Sequence, residues 1–116
     1  VAGASKGRLR VKSLMKQDLH NIEGREVLVL ELNLEPGAGS PAHKHPEHVV
    51  GYVVEGEFEV QLDDDDPKVF RAGEVFYEPE GVVHTLGRNP SETKSAKVVV
   101  FMVTREGEPS TKLHVH

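Results

Sequence analysis

Three histidines carry the clearest chemistry in this sequence. His43 and His45 stand two residues apart on a predicted strand, so both imidazoles leave the same face of it. Two protonated imidazoles at that spacing would repel each other, and a metal ion bound between them is a common reason for the arrangement. If a second predicted strand, which carries His84, lies beside the first, three imidazoles converge and leave coordination positions open for water or a substrate.

The composition restricts what else this chain can be. Its 116 residues allow one domain, and 37% hydrophobic residues with 28% charged residues are typical of a folded protein. The net charge of −5, without any cluster of Lys, Arg and aromatic residues, excludes nucleic acid and an anionic membrane surface as expected partners. The absence of cysteine excludes disulfides and thiolate chemistry, so any metal ion is held by His and carboxylate groups.

No segment of the sequence is predicted to enter a membrane. The longest apolar run, residues 98–103, has six residues, whereas a membrane-spanning helix needs about 20. The first residues lack the apolar core of a signal peptide. We expect a cytoplasmic protein, and a secreted or periplasmic one remains an alternative.

Alternating hydrophobicity predicts strands along most of the chain. Turn residues separate the apolar runs, and no window shows convincing helical periodicity, although residues 15–22 are ambiguous. Many short strands in a chain of this length indicate a sandwich or a barrel. The predicted strands are Arg25–Leu34, 49–62 with a break at residues 55–57, Val75–Glu78, 82–86 and 97–104.

The acidic run at residues 63–66 is predicted to be a solvated hairpin turn. Its four consecutive carboxylates point in diverging directions, unlike the alternate-position ligands of a calcium-binding loop. The run is therefore not counted among the candidate metal sites.

Two motifs in the sequence resemble those of the cupin family. The family motifs are G-x5-H-x-H-x3,4-E-x6-G and G-x5-P-x-G-x2-H-x3-N. Asn89 lies one residue after the position of the asparagine in the second motif. The residues that meet them are Gly37, His43, His45 and Gly56 in the first motif and Gly73, Pro79, Gly81 and His84 in the second. The glycines also stand at predicted turns, where a positive φ or close packing of the backbone is needed.

The resemblance implies an all-β fold, an antiparallel double-stranded β-helix or jelly-roll barrel, over residues 25–104. Residues 1–24 would then form an N-terminal arm that contains a strand, and residues 105–116 a C-terminal tail. The resemblance also implies a divalent transition metal, Fe, Mn, Ni or Zn, near the centre of the barrel. The ligands that it implies are His43, His45 and His84.

The sequence departs from the first motif at the glutamate, because positions 49 and 50 are both valine. The remaining set of three neutral histidines resembles the three-His iron centres of the thiol dioxygenase branch of cupins. His48 is predicted to replace the missing glutamate as a metal ligand, and Glu47 is the alternative replacement. Parity counted from position 49 turns Glu47 inward and His48 outward, but Pro46 can break that alternation.

Two classes of function remain open at this point. The first is a metal-dependent enzyme that acts on a small organic molecule, as a dioxygenase or as an isomerase or lyase. The second is a non-catalytic cupin that binds a ligand or a metal as a sensor or accessory module, its metal site being vestigial. No dinucleotide fingerprint, phosphate loop or catalytic triad is present.

The pocket around the histidines is expected to be mostly apolar, as in many small-molecule sites. Its inward-facing residues are predicted to be Val53, Phe76, Glu78, Leu86 and Phe101. Acid–base work would fall on the histidines or on Glu47, Glu78, Tyr52 and Tyr77.

A homodimer is the expected assembly, because the apolar strands REVLVLEL and KVVVFMV would otherwise leave edges exposed. His20 is predicted to lie on the surface. His114 and His116 are assigned to the tail, as exposed residues or part of an added edge strand.

Overall fold

The computed structural model describes residues 7–40, 43–44, 48–79 and 83–105, without the side chains of residues 43, 44 and 83–86. Every regular element in this part of the chain is a strand. The ten strands are β1 (Leu9–Asp18), β2 (Arg25–Leu34), β3 (Gly39–Ser40), β4 (His43–Lys44), β5 (Val49–Glu55), β6 (Glu57–Leu62), β7 (Lys68–Arg71), β8 (Val75–Glu78), β9 (Val83–Arg88) and β10 (Ala96–Arg105). None of the described residues forms a helix that could cross a membrane.

The strands form two antiparallel sheets. Sheet A has the order β1-β2-β10-β5-β8, and sheet B has the order β3-β9-β6-β7, with β4 also paired to β9. The apolar residues of the inner faces of the two sheets pack against each other in one core. This arrangement agrees with the predicted jelly-roll barrel.

Strand alternation sorts the side chains into the core and the surface. On β2 the four leucines from Leu28 to Leu34 are buried, and on β10 Val98, Val100 and Met102 are buried against them. Sheet B contributes Phe58 and Val60, with Leu62 and Phe70 packed against the same cluster.

Gly56 joins the two sheets by itself, since β5 of sheet A ends at Glu55 and β6 of sheet B begins at Glu57. Its φ is +74°, in the left-handed region, and a Cβ there would lie 2.5 Å from the carbonyl oxygen of Ser95. The φ values of Gly37 and Gly73 are also positive, as expected, and Gly81 lies outside the described residues. A residue with a side chain would be both strained and crowded at Gly56.

The predicted strands agree closely with the observed ones, and the ambiguous segment 15–22 comprises the end of β1, up to Asp18, and part of the turn that follows it. β2 and β8 have the predicted bounds, and the predicted run 49–62 forms β5 and β6 with a break of one residue, Gly56, in place of the predicted three. The run at residues 63–66 is the turn of the hairpin between β6 and β7, as predicted. The alternation of hydrophobicity gave no bounds for β1, β3, β4 and β7, although a strand was expected within residues 1–24 and at His43.

Asn89, the asparagine of the second motif, ties three chain segments together. Its side chain is 1% exposed, and its Nδ2 group donates to the carbonyl oxygens of Leu34, Glu35 and Lys94 at 3.3, 3.3 and 2.7 Å. Its Oδ1 atom accepts a hydrogen bond from the backbone N–H of Ser91 at 3.0 Å. Asn89 therefore fixes the β9–β10 connection against the end of β2.

We expect Asn89→Ala to lower the free energy of unfolding by about 1–3 kcal/mol, because it leaves buried carbonyl groups without donors. Asn33→Ala is the matched control, since Asn33 makes a single part-buried bond to Glu31 and should cost about 1 kcal/mol or less. Urea unfolding of both variants measures the difference. Equal losses would contradict the role given to Asn89.

Candidate functional site

The chain crosses from one sheet to the other twice at the same place. One crossing, residues 45–48, leads from β4 in sheet B to β5 in sheet A, and the other, residues 79–82, leads from β8 in sheet A to β9 in sheet B. The segments are register partners on both sides of the crossings, Val49 with Glu78 in sheet A and Lys44 with Val83 in sheet B. We call this place, with the four strand ends that meet there, the paired corner.

His43 and His84 are direct register partners at the paired corner. His84 is also the register partner of Leu62 on β6, and Leu62 packs against the core. The β6–β9 register shifts by one residue between Gln61 and Leu62, and past this shift position 84 lies opposite Leu62. Because residues opposite each other on antiparallel strands share a face, we place the backbone positions 43 and 84 on the inner face of sheet B. Their side chains, and the whole of His45, lie outside the described part of the structure.

Glu78 and Val49 are register partners on the sheet A side of the paired corner. Each is 2% exposed, and each lies on the inner face of its strand, Glu78 two residues after the core residue Phe76. Val49 stands where the first motif has its glutamate. The sheet A side of the corner therefore presents a valine on β5 and a carboxylate on the neighbouring strand β8.

Phe76 forms an aromatic wall below the corner. Its ring stacks on Phe58 with centroids 5.5 Å apart, and the ring of Phe70 is 5.3 Å away. Gly51 faces this ring across the sheet, and a Cβ at Gly51 would lie 2.1 Å from it. The bare backbone at Gly51 gives Phe76 the room to fill the centre of the barrel.

A cavity of about 90 Å³ opens beside this wall. It reaches from Leu62, the register partner of His84, to Phe76. Asp65, Asp66 and Lys68 of the β6–β7 hairpin also line it. Its lining combines an apolar wall with charged groups from one hairpin.

His48 lies on the outer side of sheet A. It is exposed, its Nδ1 atom is 2.5 Å from the hydroxyl oxygen of Tyr77, and the two rings are stacked with centroids 5.9 Å apart. Tyr77 is 53% exposed and precedes the inward Glu78. The structure therefore does not bring His48 to the face that Glu78 and Val49 share, which agrees with the parity counted from position 49.

Two further buried polar residues lie on the inner face of sheet A. Glu26 and Thr104 are each 3% exposed and are register partners on β2 and β10. Neither residue was predicted to be part of the site, although Glu26 continues the alternation of the buried leucines of β2 and could have been found from it. Lys16 approaches Glu26 at 3.7 Å from β1.

The prediction for Phe101 was wrong, because this side chain is 46% exposed and Val100 and Met102 occupy the inward positions of β10. Val53, Phe76 and Glu78 are buried as predicted. Tyr52 is 42% exposed on the outer face, and His20 is exposed as predicted. Glu47, His114 and His116 lie outside the described residues, as does the side chain of Leu86.

Among the side chains that the structure describes, no three His, Cys, Asp or Glu residues are grouped so that they could hold a metal ion. That set does not contain the side chains of His43, His45 and His84. The corner is therefore defined by the register of the backbone and the burial of Glu78.

Residues 30–104, which are more than half of the chain, match the cupin domain family. The chain therefore belongs to the cupin family. Cupins typically bind a metal ion. The sequence matches no protein of curated function.

Solved structures of several proteins resemble the fold of this chain. A cupin domain from Bordetella pertussis Tohama I has a TM-score of 0.66 and 21% identity over 85% of this chain and 96% of its own. An oxalate oxidase in complex with glycolate has a TM-score of 0.63 and 28% identity over 81% of this chain. The DMSP lyase DddQ from Ruegeria pomeroyi DSS-3 has a TM-score of 0.69 and 15% identity over 92% of this chain. The match covers 50% of the oxidase and 54% of the lyase, so this chain spans about half of each.

We expect Gly51→Ala to destabilise the protein by about 1–3 kcal/mol, because the new methyl group forces the ring of Phe76 out of its position. Urea unfolding measures the loss. In a Phe76→Leu background, where the ring is absent, the same substitution should cost much less. An equal cost in both backgrounds would mean that the ring is not what Gly51 accommodates.

Proposed function

We propose that this cupin binds a divalent transition metal, Fe, Mn, Ni or Zn, at the paired corner and uses it as an enzyme on a small organic molecule. The reaction would be of the dioxygenase or of the isomerase or lyase kind. The observation that carries the proposal is the direct pairing of His43 with His84 on the inner face of sheet B. The motif supplies His45 as the third ligand.

The residues at the corner fit a metal ion chemically. Imidazole nitrogens suit Fe, Ni and Zn, and a set of three leaves positions free for a substrate. A divalent ion in that place would supply a Lewis acid or an oxygen-binding centre. His48, whose ring contacts Tyr77 on the outer face, is not part of the proposed ligand set.

The surroundings of the corner support a small substrate. Phe58, Phe70 and Phe76 form an apolar wall that excludes water from one side. The cavity beside this wall measures about 90 Å³, which limits the size of the molecule. The likeness to an oxalate oxidase solved with glycolate supports a small organic molecule as the substrate class.

The second candidate is a non-catalytic cupin that binds a ligand or metal as a sensor or accessory module. Val49 in place of the motif's glutamate favours it, because the lost carboxylate would weaken a catalytic site. Elemental analysis of the purified protein separates the two. Iron near one atom per chain supports the oxygenase form of the proposal, whereas metal-free protein with an ordered organic ligand supports the second candidate.

We expect the apoprotein to bind Zn²⁺ at pH 8 and to bind it more weakly as the pH falls through about 6.5, the ordinary value for histidine. An imidazole nitrogen binds a metal ion only when it carries no proton, so protons compete with the metal. Titration against a chromophoric chelator measures the affinity. Equal affinities at pH 5 and pH 8 would mean that histidines are not the ligands.

Two variants complete this test. His84→Ala removes the ligand that the second motif supplies and should abolish binding. His48→Ala is the matched control and should leave the affinity unchanged, because His48 contacts Tyr77 on the outer face. Loss of binding in His48→Ala with unchanged affinity in His84→Ala would show that the ligands lie on the outer side, near His48.

We also propose that the protein is a homodimer. The outer face of sheet A exposes large apolar side chains, and β1 is almost entirely exposed and hydrogen-bonded to β2 alone among the described strands. A second copy that covers this face would bury them. The side chains are Val50, Tyr52, Val75, Tyr77, Phe101 and Val103.

Phe101→Glu should convert the dimer to a monomer, because it places a charge in the middle of the covered face. Val69→Glu is the control, since Val69 is 36% exposed on sheet B, away from that face. Sedimentation velocity at micromolar concentration measures both. A wild-type protein that sediments as a monomer would contradict the proposal.

A further inference from the structure

The first motif's carboxylate is missing from position 49, yet the paired corner contains a buried carboxylate. Glu78 is 2% exposed, at the end of β8, on the inner face of sheet A. A carboxylate withdrawn from water to this extent is costly unless hydrogen bonds or a cation compensate it. The sheet A side of the paired corner therefore has a buried carboxylate on β8.

Glu78 lies directly opposite position 49, where the first motif has its glutamate and this chain has a valine. Val49 and Glu78 are register partners on β5 and β8, and both side chains are buried on the same face. The Cβ atoms of such partners are about 4.5–5.5 Å apart, a distance that the longer side chain of glutamate can span. A carboxylate at Glu78 can thus reach the space that a glutamate at position 49 would fill.

The same corner brings the histidine positions within reach of Glu78. Packed sheets lie about 10 Å apart, so the inner face of sheet A at Glu78 is one layer away from the backbone positions 43 and 84 of sheet B. The crossing of residues 79–82 is all that separates the end of β8 from the start of β9. Glu78 and the paired positions His43 and His84 therefore lie at one end of the barrel.

We propose that Glu78 is the carboxylate ligand of the metal site, taking over from β8 the role that the motif gives to position 49 on β5. The inference rests on the proposed metal site and deepens it. The ligand set becomes three imidazoles and one carboxylate. The single negative charge of the carboxylate offsets part of the charge of the ion. Carboxylate oxygen is also a good ligand for Mn²⁺, so the site would bind Mn²⁺ better than three imidazoles alone.

Glu26 shows that burial alone does not define this role. It is as buried as Glu78 and lies on the same inner face, but β10 and β5 stand between β2 and β8. Three strand spacings separate the two glutamates by about 14 Å. Glu26, which Lys16 approaches at 3.7 Å, therefore provides a matched control.

The test is a Zn²⁺ titration of apoprotein variants, with zinc as the probe because it is redox-inert and accepts His and carboxylate ligands. Glu78→Gln keeps the shape of the side chain and should weaken binding at least tenfold. Glu26→Gln should leave the affinity unchanged. The double variant Val49→Glu/Glu78→Gln returns a carboxylate to the motif position and should restore most of the affinity.

Melting temperatures with and without Zn²⁺ give a second readout that does not depend on activity. The rise on adding Zn²⁺ should be large in the wild type and in the double variant and small in Glu78→Gln. If Glu78→Gln does not fold, the double variant decides by itself. A folded double variant that binds as the wild type does supports the inference, and one that does not bind overturns it.

The outcomes separate this inference from the proposed function. A Glu78→Gln variant that binds Zn²⁺ as tightly as the wild type, while His84→Ala does not bind, overturns the role of Glu78 and leaves the metal site standing. A wild-type protein with no affinity for Zn²⁺ or Mn²⁺ overturns both. Equal weakening by Glu26→Gln and Glu78→Gln would assign both glutamates to stability and overturn the inference.

Discussion

One constraint determines which side chains of the two sheets face each other. The chain pairs with the same register on both sides of the paired corner, His43 with His84 in sheet B and Val49 with Glu78 in sheet A. This is possible because each crossing has four residues, 45–48 and 79–82. A slip of one residue in either crossing would turn the strand beyond it over and exchange its core face for its solvent face. The core contacts of Phe76, the burial of Glu78 and the pairing of His43 with His84 all depend on this equality.

Much of the fold could be predicted from the sequence, because strands with one buried face carry a period of two. β2 and β8 were predicted to the residue for this reason. The bounds of β1 could not be predicted, because it is exposed along almost its whole length and no buried face imposes a pattern on it. On β10 both faces are apolar, the outer one through Val99, Phe101 and Val103, and alternation alone could not tell which set faces inward.

The candidate site was predictable where it depends on local spacing and not where it depends on pairing. The two motifs identified His43 and His84, and the backbone brings these positions together. The loss of the carboxylate at position 49 was visible in the sequence, but Glu78 stands 29 residues away and becomes its neighbour only through the β5–β8 register. Such a replacement can be found from one sequence only if the strand pairing is already known.

The position of β10 has a consequence for how the chain folds. β10, the last described strand, lies in the middle of sheet A, between β2 and β5. During synthesis the four leucines of β2 therefore emerge long before the strand that covers them, and the contacts that complete the sheet join residues far apart in the chain. We infer that folding is slow compared with that of a helical protein of this size. A nascent chain that ends before residue 96 keeps an apolar strand uncovered and prone to aggregate.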